Sequence, residues 1–273
     1  MQRLLAFSLI LLLCTGCASA PIENTPADRP DGIRIALLDT GISTIAIDST
    51  QVLPGYNYVL NSDDTEDRIN HGTAVTSVIL GCESAGVEGT APEAWVVPLV
   101  VTDKTEGEVV SVTPEVLAQA VRDSVDRYGA QIINISLGIK KDVPELKQAI
   151  EYVQTQGALV VSAVGNEGEY SDLYYPAAYA GVLAVGSHDK HGEISDFSQR
   201  SGIADLLAPG EDIWLASRKG KTYGAKGTSY ATGFVSAAAA ELWQIHPDWD
   251  AVQITQALLD TETHIDGMPI LDR

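Results

Sequence analysis

An α/β fold, with a buried, mostly parallel sheet flanked by helices, is what this 273-residue sequence predicts, and three features predict it. Short apolar runs alternate with helix-like patterns, helix punctuation falls between the runs, and the composition suits one globular domain. That composition is 45% hydrophobic and 20% charged, which lets a chain of this length bury a sizeable core. The strand-like runs lie at 33–38, 96–101, 132–135, 159–163 and 182–185. They are apolar enough to be covered on both faces, as parallel strands are. Between them Thr113 stands as an N-cap ahead of Pro114 and Glu115, with Gly129 past the end of that helix. Asp142 and Gly157 bracket the next helix, and Asp248 is placed to cap one running over 249–260. No internal repeat or low-complexity tract interrupts the pattern.

Charge narrows the partners. A formal net charge of -20, from 37 acidic against 17 basic residues, repels nucleic acid and anionic membrane surfaces alike. An acidic exterior attracts basic peptides, although a plain solvated surface needs no such partner.

Residues 1–20 carry Arg3, then an apolar run over 4–13, then small residues, which is the layout of a secretory signal peptide. The run is too short to cross a bilayer, for which about 20 residues are needed. Two processing routes compete. Cys14-Thr15-Gly16-Cys17 reads as a bacterial lipobox, with a lipoprotein signal over 1–16 and a lipid on Cys17, and this is the preferred reading. Ala18-Ser19-Ala20 reads as an ordinary small-residue cleavage site. Either way the chain is expected to be exported, to a bacterial cell envelope as a lipid-anchored or periplasmic protein, or else secreted. Residues 21–32, rich in Pro, Asp and Asn, read as a tether, and the folded domain is expected over 33–273. Cys82, with or without Cys17, makes no disulfide framework.

Four short motifs carry chemistry. Leu38-Asp39-Thr40-Gly41 puts an acid at the carboxyl end of a parallel strand, where open α/β sheets build their sites, although Asp before Thr-Gly is also a common turn. His71-Gly72-Thr73 opens an apolar helical segment, so His71 stands at a helix N-terminus, where it serves either as a cap or as a base oriented by a nearby Asp. Gly227-Thr228-Ser229 opens a second, Ala- and Gly-rich helix, where Ser229 is either an N-cap or a nucleophile under the positive end of the helix dipole. Gly165-Asn166-Glu167-Gly168 leaves a buried strand and is either a turn or a loop whose side-chain amide donates to an oxyanion.

Taken together and in order, with Asn134-Ile135-Ser136-Leu137-Gly138, these motifs resemble the subtilisin-like serine proteases over residues 33–260. The resemblance implies a three-layer subtilisin-like fold and a serine endopeptidase acting on polypeptides through an acyl-enzyme. It implies Ser229 as nucleophile, His71 as general base and acid, and Asp39 as the group that orients His71, with Asn166 and the Ser229 N–H binding the oxyanion. Ser136, Leu137 and Gly138 are similar to the strand that pairs with substrate and walls the pocket for the residue preceding the scissile bond. Glu167 stands near that pocket, where it would favour a basic or polar residue or simply be solvated.

The sequence also departs from the family pattern. Tyr230 and Gly233 replace the smaller residue and the Pro usual after the nucleophile, which bears on rate and pocket shape. Only residues 21–32 separate the signal segment from the first strand, too few for a folding pro-domain, so folding is expected to be unaided or helped by a trans-acting partner. A dedicated maturation peptidase for one partner protein is then the alternative, with a non-catalytic peptide-binding relative behind it. No cofactor is required. Calcium, bound by many members, is left open with Asp48 and Glu83 as candidate ligands, against a shortened loop over 81–89.

Overall fold

Seven strands pair in the central sheet of the computed structural model, which describes residues 31–47, 49–168 and 172–271. The expected signal segment with Cys17, the tether up to residue 30, and Asp48 lie outside the described residues. The strands are β1 (Arg34–Asp39), β2 (Tyr56–Asn57), β3 (Trp95–Val100), β4 (Ile132–Ile135), β5 (Leu159–Ala163), β6 (Leu183–His188) and β7 (Leu206–Pro209). Their order is β7-β6-β5-β4-β1-β3-β2, and every neighbouring pair is parallel.

Strand β1 shows why the sheet needs cover on both faces. Its side chains alternate, so Ile35 and Leu37 join one apolar cluster while Ala36 and Leu38 join another. The first cluster is completed by α1 (His71–Leu80) and α4 (Thr228–Ile245), the second by α2 (Pro114–Asp126) and α3 (Pro144–Thr155). The result is three layers, helices on a parallel sheet on helices. Each fully buried Ile or Leu contributes about 1.5–3 kcal/mol. Helix α4 is deeply enclosed, with Ala231, Val235 and Ala239 wholly buried, and its small residues permit that depth. At Gly233 an added Cβ would stand 3.2 Å from Val75 Cγ1, so α1 and α4 touch nearly backbone to backbone. Glycine here brings the two helices together, and α4 runs unbroken through it.

Two expectations need correction. Helix α5 (Ala251–Leu259) is capped by Asp250 and not by Asp248, because only Asp250 has a glutamine three residues on. The Asp250 carboxylate accepts from Gln253 N at 2.8 Å, and Gln253 Oε1 accepts from Asp250 N at 3.0 Å, a complete capping box. Helix α3 starts after Val143, whose extended backbone precedes Pro144, so Asp142 lies one residue outside the cap. Strands β2 and β7 escaped the sequence reading, since both are short sheet edges.

Candidate active site

Asp39 ends β1, and α1 begins at His71, so the first question is what brings a helix so close to a strand end. Gly72 answers it. A Cβ at Gly72 would lie 2.2 Å from the Gly41 carbonyl oxygen and 3.2 Å from Asp39 Oδ1, so any side chain there would push α1 away. With Gly72 in place, His71 Nδ1 reaches the Asp39 carboxylate, at 2.7 Å to Oδ1 and 2.9 Å to Oδ2. A carboxylate can only accept, so Nδ1 carries the hydrogen and Nε2 keeps its lone pair. The Thr40 N–H donates to Asp39 Oδ1 at 2.7 Å and fixes the carboxylate from the other side.

A second acid stands behind the first, and the sequence reading missed it. Asp67 is fully buried and accepts from Thr40 Oγ1, Ile69 N, Asn70 N, Thr73 N and Thr73 Oγ1, at 2.6–3.0 Å. The N-cap residue of α1, Asn70, makes no side-chain cap, so Asp67 satisfies the helix N-terminus instead. Thr40 Oγ1 in turn accepts from Gly72 N at 2.8 Å, which ties the helix start to the end of β1. The His71 side chain is 32% exposed. Burial pulls its pKa down, but the charge and hydrogen bond of Asp39, with the charge of Asp67 behind, outweigh burial and leave it above the ordinary 6.5.

Ser229 is the second residue of α4, whose N-cap is Gly227, so Ser229 is not the cap. Its hydroxyl donates to the Ser136 carbonyl at 3.2 Å, and Ser136 Oγ donates to the Ser229 carbonyl at 3.2 Å. The chain continues inward, because Ser136 Oγ accepts from Asn134 Nδ2 and Asn134 Oδ1 accepts from Ser236 Oγ. Ser136, Leu137 and Gly138 follow β4 directly, so the segment past β4 runs beside the start of α4. The adjacent Tyr230 ring lies 6.0 Å from the His71 ring, which sets the start of α4 against the imidazole.

Asn166 comes from the loop after β5. Its Oδ1 accepts from Thr228 N at 2.9 Å and Thr228 Oγ1 at 3.0 Å. The amide nitrogen cannot accept those protons, so this contact fixes the orientation of the amide and leaves Nδ2 as the donor beside Gly227 at the start of α4. Glu167 does not stand as a free acid. Lys140 Nζ binds its Oε2 at 2.8 Å and Tyr174 OH donates to Oε1 at 2.7 Å, and these bonds hold its pKa below the usual range. Glu83 is exposed at the start of a single 3-10 turn, and among the described residues no three His, Cys, Asp or Glu gather as metal ligands.

An acid at a strand end, a histidine held by it, a helix-borne serine and a loop amide thus meet at the carboxyl edge of one parallel sheet. Residues 30–273 match the family described as "Peptidase_S8: Subtilase family". The chain belongs to the subtilase family. Subtilisin Savinase of Lederbergia lenta is 35% identical over 248 residues, which is 90% of this chain and 89% of that protein. The major intracellular serine protease of Bacillus subtilis is 40% identical over 219 residues, 76% of this chain and 67% of that one. Among solved structures, the prenylagaramide maturation protease PagA superposes with a TM-score of 0.72 at 30% identity, covering 88% of this chain and 90% of its own. As a subtilase, the chain is a serine endopeptidase with the subtilisin-like fold, and its substrates are polypeptides.

Proposed function

We propose that Ser229, His71 and Asp39 are the triad of this subtilase and that Asn166 and the Ser229 N–H bind the oxyanion. The observation that carries this reading is the paired hydrogen bond from His71 Nδ1 to Asp39, which leaves Nε2 as the proton acceptor. Ser229 turns from the Ser136 carbonyl to Nε2 by a change of rotamer and attacks the peptide carbonyl as His71 takes its proton. The oxygen of the tetrahedral adduct accepts from Asn166 Nδ2 and from the helix N–H groups. His71 then passes the proton to the leaving amine, and water repeats the sequence on the acyl-enzyme. Ser136, Leu137 and Gly138 hold the extended substrate by strand pairing. No step needs a cofactor, and none passes through calcium. Hydrolysis of casein and of a short peptide by purified protein, with and without Ser229→Ala, tests the assignment. Activity abolished by the substitution supports it, and activity retained overturns it.

The reading extends to place and purpose. The signal segment over 1–20 exports the chain, and a lipid on Cys17 tethers the peptidase domain, 33–273, to a bacterial envelope membrane through residues 21–32. Intact mass of the protein from membranes tests this, since an unmodified chain starting at residue 21 rules out the anchor. The likeness to PagA, a maturation protease by name, supports a second reading, a dedicated maturation peptidase for one partner protein. Efficient digestion of casein would count against that narrower role.

A further inference from the structure

The peptide that Ser229 attacks is oriented by two neighbours, and together they decide where its side chains go. Its backbone runs along residues 136–138, and its reacting carbonyl oxygen faces Asn166. The side chain just before the scissile bond therefore enters the gap between the 136–138 segment and the 165–166 segment. Tyr174 already stands in that gap. A Cβ built on Gly138 would lie 2.7 Å from Tyr174 Cδ1, while one built on Gly165 would lie 1.6 Å from Gln199 Oε1 and 3.4 Å from Tyr174 Cδ2. The ring thus packs directly on Gly138, whose missing side chain lets it fit, and its other edge faces Gly165 beside Gln199.

The ring is held from several directions. Next to it, Tyr175 and Ile139 exchange two backbone hydrogen bonds, at 2.8 and 2.9 Å. Two residues earlier, the Asp172 carbonyl accepts from Gln199 Nε2 at 2.6 Å. At the ring tip, the hydroxyl donates to Glu167, and Lys140, which pairs with that carboxylate, lies 5.5 Å from the ring centre. Moving the ring aside breaks the Tyr174–Glu167 bond and exposes the aromatic face.

We propose that Tyr174, lodged between Gly138 and Gly165 and latched by Glu167, fills the position of the side chain preceding the scissile bond and restricts cleavage to bonds after glycine, alanine or serine. This rests on the placement of Ser229 and Asn166 argued above. The test uses tetrapeptide anilides that differ only at that residue, Ala against Phe, with wild type, Tyr174→Ala and Tyr174→Phe. Wild type is expected to favour Ala over Phe in kcat/KM by about 100-fold, the scale set by forcing a bulky group into a filled pocket. Tyr174→Ala should raise the Phe substrate relative to the Ala substrate by about the same factor. Tyr174→Phe, which keeps the ring, should retain the preference. Equal cleavage of both substrates by wild type, or an unchanged ratio in Tyr174→Ala, overturns the proposal. A fluorophosphonate, which presents no such side chain, is applied to each variant alongside. Labelling with the wrong ratio counts against Tyr174 alone, whereas a folded wild type that fails to label overturns the Ser229 assignment and the proposal with it.

Discussion

The two helix N-termini that meet at the site are secured very differently. At the start of α1 a buried carboxylate, Asp67, takes backbone and side-chain donors from both sides of His71, and Asp39 takes the imidazole itself. At the start of α4 the Ser229 hydroxyl donates one hydrogen bond at 3.2 Å, to the neutral Ser136 carbonyl. In the proposed triad His71 is therefore held fast, while Ser229 keeps a choice of rotamer. Charge sits where geometry has to be exact, because charge-assisted hydrogen bonds are about twice as strong as neutral ones. The moving part is left with a bond weak enough to exchange.

Substitutions break this contrast by graded amounts. Ser229→Ala removes the moving part and should lower kcat by about six orders of magnitude, as loss of the nucleophile does in subtilisin, measured with the best peptide substrate. Asp39→Asn keeps the shape of the rigid side but favours the wrong imidazole tautomer, and kcat should fall by about 10⁴-fold, the scale of the same change in trypsin-like triads. Asn166→Ala leaves the α1 side intact, removes one oxyanion donor and strips Thr228 at the α4 start of its acceptor, so kcat should fall by about 10²–10³-fold, a range known from subtilisin. A loss under about tenfold would exclude the oxyanion role.

The smallest effects sharpen the contrast. Asp67→Asn withdraws a negative charge that raises the His71 pKa, so His71 stays neutral to lower pH. The acid limb of kcat/KM should therefore move to lower pH than in the wild type, and a limb that stays put contradicts the coupling. The same substitution strands buried donors and should cost roughly 1–3 kcal/mol in denaturant unfolding. Ser136→Ala, on the loose side, loses two neutral hydrogen bonds, one to the Ser229 carbonyl and one from Asn134 Nδ2, and should change kcat by less than about tenfold.

How much of this was legible in the sequence depended on whether a feature is local. Strands β4 and β5 were read to the residue, because their short runs are buried throughout and lie close to glycine-marked turns. Strand β2 has two residues and no run to see. Asp39, His71, Asn166 and Ser229 each sit in a short motif, and the structure brings their segments to one edge of the sheet. Asp67 was hidden among Asp63, Asp64 and Glu66 in a loop that reads as solvated, and nothing local marks which of those acids is buried. The N-cap position itself falls on Asn70, which adopts a left-handed backbone and makes no side-chain cap. Tyr174 was equally invisible, because its meaning depends on two glycines distant in sequence that only the folded chain brings to its ring.

The central claim is that Ser229 is activated by a histidine held in place by Asp39. The rate of fluorophosphonate labelling across pH, with the modified residue identified by intact mass and peptide mapping, tests it most directly. The account predicts one modified residue, Ser229, labelled at a rate that rises with pH through a midpoint above 6.5 and is nearly lost in Asp39→Asn. Labelling that persists in Ser229→Ala, or a wild-type rate flat from pH 5 to 9, would contradict it.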